Sequence, residues 1–204
     1  MKHLIIKSLL VIVNTFRIII IIISLAIIAV SCNKTSTTTS TTDTNNTTIS
    51  NQLLFTGNGF SNNGNYPKLF TCDSSGFSPG LQWSNAPTGT NSYAITMHHL
   101  PPTYPTEDKH VYLVLYNIPS AVTSLTNNSK SIGSFGINTV DKKNTYSPPC
   151  SQGPGSKVYT LTLYALSASP SISASSSQVT MDILLAGIRN KILDSTVMTV
   201  TYTR

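Results

Sequence analysis

Residues able to do chemistry are sparse in this chain. His98 and His99 stand side by side ahead of Pro101-Pro102, and His110 and Tyr112 follow two positions apart, which in an extended strand puts both on one face. A metal centre is not expected from them. Adjacent histidines do not readily ligate one ion, and no cysteine or carboxylate completes a known ligand spacing. The chain has no His-Glu-x-x-His helix and no glycine-rich phosphate loop opening a helix. An enzyme is therefore not expected, and neither is a cofactor. Gly57-Asn58-Gly59 reads as a turn, and Trp83, the sole tryptophan, reads as core. Asp73, beside Cys72 at a strand-to-loop transition, reads as an acceptor of backbone hydrogen bonds.

The three cysteines divide by compartment. Lys2, Lys7 and Arg17 precede an apolar run from Ile18 to Ile23, continued by Leu25 to Val30 and then Ser31-Cys32. A basic flank, a short apolar stretch and small residues before a cleavage point describe an export signal, and the run is shorter than the roughly 20 residues of a spanning helix. Ala29-Val30-Ser31-Cys32 resembles a bacterial lipobox, so residues 1–31 are expected to be a lipoprotein signal peptide and Cys32 the lipidated first residue. The alternative is an uncleaved anchor helix. Either places the rest in the cell envelope, at a periplasmic or outer-membrane face, tethered to membrane. Cys72 and Cys150 then remain as an even pair in a disulfide-permissive compartment and are expected to bond.

Residues 33–51 are almost entirely Thr, Ser and Asn, too polar to offset the entropy of ordering. With Cys32 they read as a lipidated, disordered stalk, and 52–204 as one domain. The formal charge is +6, but without Lys2, Lys7 and Arg17 ten Lys/Arg face seven Asp/Glu, or +3. There is no basic run, so nucleic acid is not an expected partner.

Within 52–204 the pattern is mostly β. Gln52 to Thr56, Tyr93 to Met97, Val111 to Ile118, Val158 to Leu166 and Ser195 to Tyr202 read as strands. Val111 to Ile118 is apolar almost throughout, as in a central strand covered on both faces, whereas Val158 to Leu166 alternates. One helix is expected over about Gln178 to Asn190, burying Val179, Ile183, Leu184 and Ile188. The long Gly/Pro/Asn/Ser-rich segments, notably 98–109 and 126–156, are where binding surfaces are expected.

Thr71-Cys72-Asp73, Ser78-Pro79-Gly80-Leu81-Gln82-Trp83, Tyr116-Asn117-Ile118-Pro119 and Tyr159 to Leu166 recur in an order that resembles the phosphatidylethanolamine-binding protein family, in its bacterial Raf-kinase-inhibitor-like branch. The resemblance implies a β-sandwich with one or two peripheral helices and a small anion-binding cavity at one end. It also implies that this chain has rewritten the cavity. His99 replaces the first aspartate of the family's Asp-Pro-Asp-Ala-Pro loop, and Tyr112 and Lys157 replace its two histidines. Cys150 keeps its place, but Ser151 and Gln152 replace a proline pair, leaving backbone donors free to face an anion. A further histidine corresponds to Lys191. The ligand candidates are thus His99, Tyr112, Lys157, His110, Ser151 and Gln152, forming a more positive mouth that favours phosphate or carboxylate over an amine. The other reading is an inhibitor or protein-interaction module with a degenerate pocket. The family also implies that a homodimer is to be considered.

Overall fold

The structure, a computed structural model, describes residues 52–204. The expected signal peptide, Cys32 and stalk lie outside the described residues. Among the described residues nine strands and one α-helix follow in the order β1 (Leu54–Gly57), β2 (Gly64–Asn65), β3 (Leu81–Ser84), β4 (Ser92–His99), β5 (His110–Pro119), β6 (Ser124–Leu125), β7 (Ser134–Phe135), β8 (Ser156–Leu166), α1 (Met181–Ile188) and β9 (Ile192–Thr203). They form a three-stranded sheet, β1-β3-β6, and a six-stranded sheet, β2-β9-β8-β4-β5-β7. None of the described helices is long and apolar enough to cross a membrane.

Side-chain alternation explains why the two sheets face each other. On β8, Tyr159, Leu161, Leu163 and Ala165 are buried on one face. They join Ile95 and Met97 of β4, Leu113 and Leu115 of β5, and Met198 and Val200 of β9, closing on Phe55, Leu81, Trp83 and Leu125 from the smaller sheet. The opposite face of β4 and β5 presents Ala94, Val111, Val114 and Tyr116 to α1. The apolar run of β5 therefore reports covering on both faces, as expected. It does not report centrality: β8 and β4 are the middle strands, and β5 has only the two-residue β7 outside it.

The helix is shorter than its sequence pattern. The Thr180 hydroxyl accepts the Ile183 N–H at 3.2 Å, which caps the helix at Met181, and a 3-10 turn occupies Ser176–Gln178. This start sets a stripe of Met181, Leu184 and Ile188 against the sheet, with Val179 buried just ahead of it. Ile183, expected on that stripe, is 37% exposed instead.

Two irregularities in the β4–β5 pairing aim side chains. Tyr93 pairs with Ile118 and Ile95 with Leu115, so an extra β5 residue is accommodated where Asn117 has φ 56°. Asparagine tolerates this left-handed conformation, which gives the Asn-Ile-Pro block a backbone reason. The second shift falls where Met97 pairs with Leu113 and His98 with Val111, leaving Tyr112 as the unpaired residue.

Gly136 is held where β5 and the lead-in to α1 meet. Its N–H donates to the Val114 carbonyl at 2.8 Å, and a Cβ there would run into the Val179 carbonyl oxygen and lie 2.7 Å from Val114 Cγ1. Gly136→Ala should cost about 1–3 kcal/mol of stability, read as a lowered denaturant midpoint. An unchanged midpoint would contradict this packing.

Candidate functional site

Because β4 and β8 each run antiparallel to their neighbours, the end of β4 and the starts of β5 and β8 coincide at one end of the larger sheet, where His99 pairs with His110 and His98 with Thr160. A cavity of about 400 Å³ opens there, and it brings all six sequence candidates together: His99, His110, Tyr112, Ser151, Gln152 and Lys157 all line it. The bulge at Tyr112 contributes directly, because it turns both Tyr112 and Leu113 to the sandwich interior while Val111 faces the helix side. Three loops complete the wall, carrying Pro101, Pro102 and Glu107, then Thr139 and Val140, then Cys150 with Ser151 and Gln152.

The loops are pinned by identifiable bonds. Cys72 and Cys150 are joined by a disulfide, and Cys72 N–H donates to the Pro149 carbonyl at 3.1 Å. Asp73 binds Arg204 at 2.7 Å and accepts the Tyr202 hydroxyl at 2.6 Å. Arg204 also donates to the Ser151 carbonyl at 2.8 Å. The expectation that Asp73 would accept backbone hydrogen bonds is therefore corrected: its carboxylate ties the last strand to the cavity loop through side chains. Buried Asn138 organises the next loop, its amide nitrogen donating to Asp141 at 2.6 Å and to the Lys143 carbonyl at 3.0 Å. Thr139 Oγ1 accepts the Val111 N–H at 2.7 Å, which fixes the wall beside it.

The charges inside differ from expectation in one respect. Lys157 has no carboxylate within ion-pair distance among the described residues. Glu107, however, returns an acidic group to the rim that replacing aspartate by His99 was expected to remove. Its carboxylate accepts from Thr103 Oγ1 at 2.8 Å and meets His110 Nε2 at 3.0 Å. The Thr103 hydrogen bond chiefly, with His110 and the nearby Lys157 charge, holds its pKa below the ordinary carboxylate value. The mouth is thus two-sided, with an ammonium on β8 that is unpaired among the described residues and a hydrogen-bonded carboxylate on the 100–109 loop.

Behind the cavity lies a tyrosine cluster. Tyr112 and Tyr159 meet edge to face with ring centroids 5.3 Å apart, and Tyr159 is also 6.2 Å from Tyr66. Tyr146 donates to the Phe70 carbonyl at 2.5 Å and its oxygen lies 3.0 Å from the Tyr66 hydroxyl. Burial pushes the phenols of Tyr66, Tyr112, Tyr116, Tyr146 and Tyr159 above 10. Raised phenols are neutral donors at physiological pH. Their contribution to stability is intact below the free phenol value near 10 and is lost as pH climbs above it. An alkaline titration followed at the phenolate absorbance should show these five of the nine tyrosines ionising only as the fold is lost. Nine tyrosines titrating together near pH 10 would contradict the cluster.

Some cavity residues were not legible as such. Tyr159 lies two residues after Lys157 on one strand, so strand periodicity alone gives them a common face. Glu107, Thr139 and Val140 carry no such signal, because irregular loops place them. Lys191 corresponds to no cavity position: it donates to the Ser169 carbonyl at 2.5 Å and Ser171 Oγ at 2.6 Å, tying down the loop before α1. Gly76-Phe77-Ser78-Pro79-Gly80 spells a nucleophile-elbow pattern but leads from a loop into β3, where an elbow needs strand, turn and helix. Among the described residues no group of three His, Cys, Asp or Glu is arranged to hold a metal ion.

Comparison with known proteins gives a consistent result. The chain is 31% identical over 114 residues to a UPF0098 protein of Aquifex aeolicus, an alignment covering 53% of this chain and 64% of that relative. It is 28% identical over 102 residues to a UPF0098 protein of Chlamydia pneumoniae, covering 49% of this chain and 67% of that one. Among solved structures, a putative phosphatidylethanolamine-binding protein homologue from Chlamydia trachomatis superposes with a TM-score of 0.68 at 25% identity, covering 76% of this chain and 99% of its own. Escherichia coli YbcL, described as a member of the mammalian family of the same name, superposes at 0.63 with 21% identity, covering 75% of this chain and 99% of its own, a likeness of fold. The model of the phosphatidylethanolamine-binding protein family matches residues 56–203. With its two facing sheets, its Asn117 turn and its end-on cavity, the chain belongs to the phosphatidylethanolamine-binding protein family.

Proposed function

We propose that this chain is a non-enzymatic envelope lipoprotein of the Raf-kinase-inhibitor-like branch that binds a small anionic or phosphorylated ligand in the cavity at the end of β4, β5 and β8. The observation carrying this reading is Lys157. An ammonium unpaired among the described residues lines a cavity of about 400 Å³ together with the phenol Tyr112 and the imidazoles His99 and His110. A charge-assisted hydrogen bond to an oxyanion is the natural use of such an ammonium. Glu107 narrows the preference for anions over zwitterions that the sequence suggested, because a ligand's ammonium would find an acceptor on the rim. Calorimetric titration of the purified full chain with phosphate and with phosphoethanolamine tests the reading. Binding of either at millimolar concentration or below supports it, and heat-silent titrations with both would end it.

A protein-interaction reading rests on a separate observation. The 100–109 loop, which lends Pro101, Pro102 and Glu107 to the cavity wall, also displays Leu100 and Tyr104, each 47% exposed. Capture of an envelope protein that survives Lys157→Ala and His99→Ala but fails on replacing that loop would favour an inhibitor-like role.

A further inference from the structure

Cavity residue His99 is 8% exposed, and both of its ring nitrogens are constrained. Nδ1 lies 2.8 Å from the Val158 carbonyl, an oxygen that can only accept, so Nδ1 carries the proton. In the neutral imidazole this tautomer leaves a lone pair on Nε2. That atom is buried and has no hydrogen-bond partner among the described residues. A buried acceptor without a donor is costly, and a ligand that supplies the donor recovers the cost. The surrounding groups do not supply it. From β5, His110 stands with its ring centroid 6.0 Å away and its Nε2 turned to Glu107. Tyr159 of β8 lies 5.7 Å away by ring centroids, and Lys157 and Tyr112 complete the facing polar groups. On the same strand, His98 has its pKa lowered by burial first, then by Lys109 and His99.

We propose that His99 makes this cavity selective for an oxyanion that carries its own O–H proton, inorganic hydrogen phosphate first, over oxyanions that carry none. The proposal rests on the anion-binding reading above and narrows it. Hydrogen phosphate offers negative oxygens to Lys157 and one hydroxyl to Nε2. Sulfate has the same shape and double charge but no hydroxyl, so each sulfate oxygen meets a lone pair. A lipid phosphodiester has lost its phosphate O–H as well, so the class is free phosphate or a protonated monoester. A site built around a specific donor–acceptor match rejects the analogue lacking it, because its buried polar group is then left unpaired.

The test is calorimetry on the purified full chain with phosphate, sulfate and glycerophosphoethanolamine at pH 8, for the wild type and His99→Gln. At pH 8 phosphate is expected to bind at least about tenfold more tightly than sulfate, a difference of one lost buried hydrogen bond. Glycerophosphoethanolamine is expected to bind more weakly than phosphate. The glutamine amide can both donate and accept, so in His99→Gln the phosphate-to-sulfate ratio should fall toward one. Equal binding of phosphate and sulfate at pH 8, or tighter binding of the diester than of phosphate, overturns the selectivity while leaving an anion site standing. Absence of binding by all three overturns the anion site itself. Nitrogen chemical shifts of His99 add a readout independent of affinity: phosphate should leave Nδ1 protonated at pH 8, and a shift showing the opposite tautomer contradicts the argument.

Discussion

Lys157→Met should weaken phosphate binding by roughly ten- to a hundredfold, the loss expected when a charge-assisted hydrogen bond of about 1.5–3 kcal/mol is removed. Methionine keeps the unbranched stem, so packing of the start of β8 against β9, where Lys157 pairs with Tyr202, is preserved. No ion pair is broken among the described residues, since Lys157 has none. The substitution therefore isolates the ligand term from the stability term. Calorimetry gives the affinity and thermal unfolding the control. A variant as stable as the wild type that binds phosphate equally well would remove Lys157 from the site.

Cys150→Ser should lower stability by about 2–4 kcal/mol, and reduction of the wild type should do the same. The cross-link joins positions 78 residues apart, and a closure of that length restricts the unfolded chain by about 4.5 kcal/mol in the chain-entropy account, of which measured disulfides commonly deliver less. The effect reaches the site because Cys150 precedes Ser151 and Gln152, two residues of the cavity wall. Two further restraints remain after the bond is lost, the Cys72 N–H to Pro149 carbonyl bond and the Asp73–Arg204–Ser151 bridge. Local loosening of the wall is accordingly expected before global unfolding, with weaker phosphate binding in denaturant-free buffer. Denaturant midpoints with and without reductant check the first part. Identical midpoints would show that the bond contributes nothing to the fold.

How much of this could be read from the chain alone depends on periodicity. Strands β4, β5, β8 and β9 were legible because eight to twelve residues of alternating or continuous apolar character leave little choice. Of the short strands β1 was legible, as Gln52 to Thr56, and the others were not. Leu81–Ser84 alternates over only four residues, and the two-residue β2, β6 and β7 are defined by their partners. The helix was recognisable, but its start was set by one hydroxyl, Thr180, which moved Ile183 off the buried stripe. At the cavity, resemblance to the family supplied His99, Tyr112, Lys157, Ser151 and Gln152, and strand spacing supplied His110 beside Tyr112. Glu107 was missed because its place depends on the path of the 100–109 loop, and that omission made the mouth look more positive than it is. Asp73 was found as a framework residue with the wrong partners, since Tyr202 and Arg204 lie far along the chain.

Crystals of the chain soaked in phosphate give the most direct measurement of whether the cavity is an anion site. The account predicts one tetrahedral density between β4, β5 and β8, with Lys157 Nζ and His99 Nε2 both in hydrogen-bond reach. Phosphate bound only at the outer surface, with the cavity holding none at saturating concentration, would contradict it.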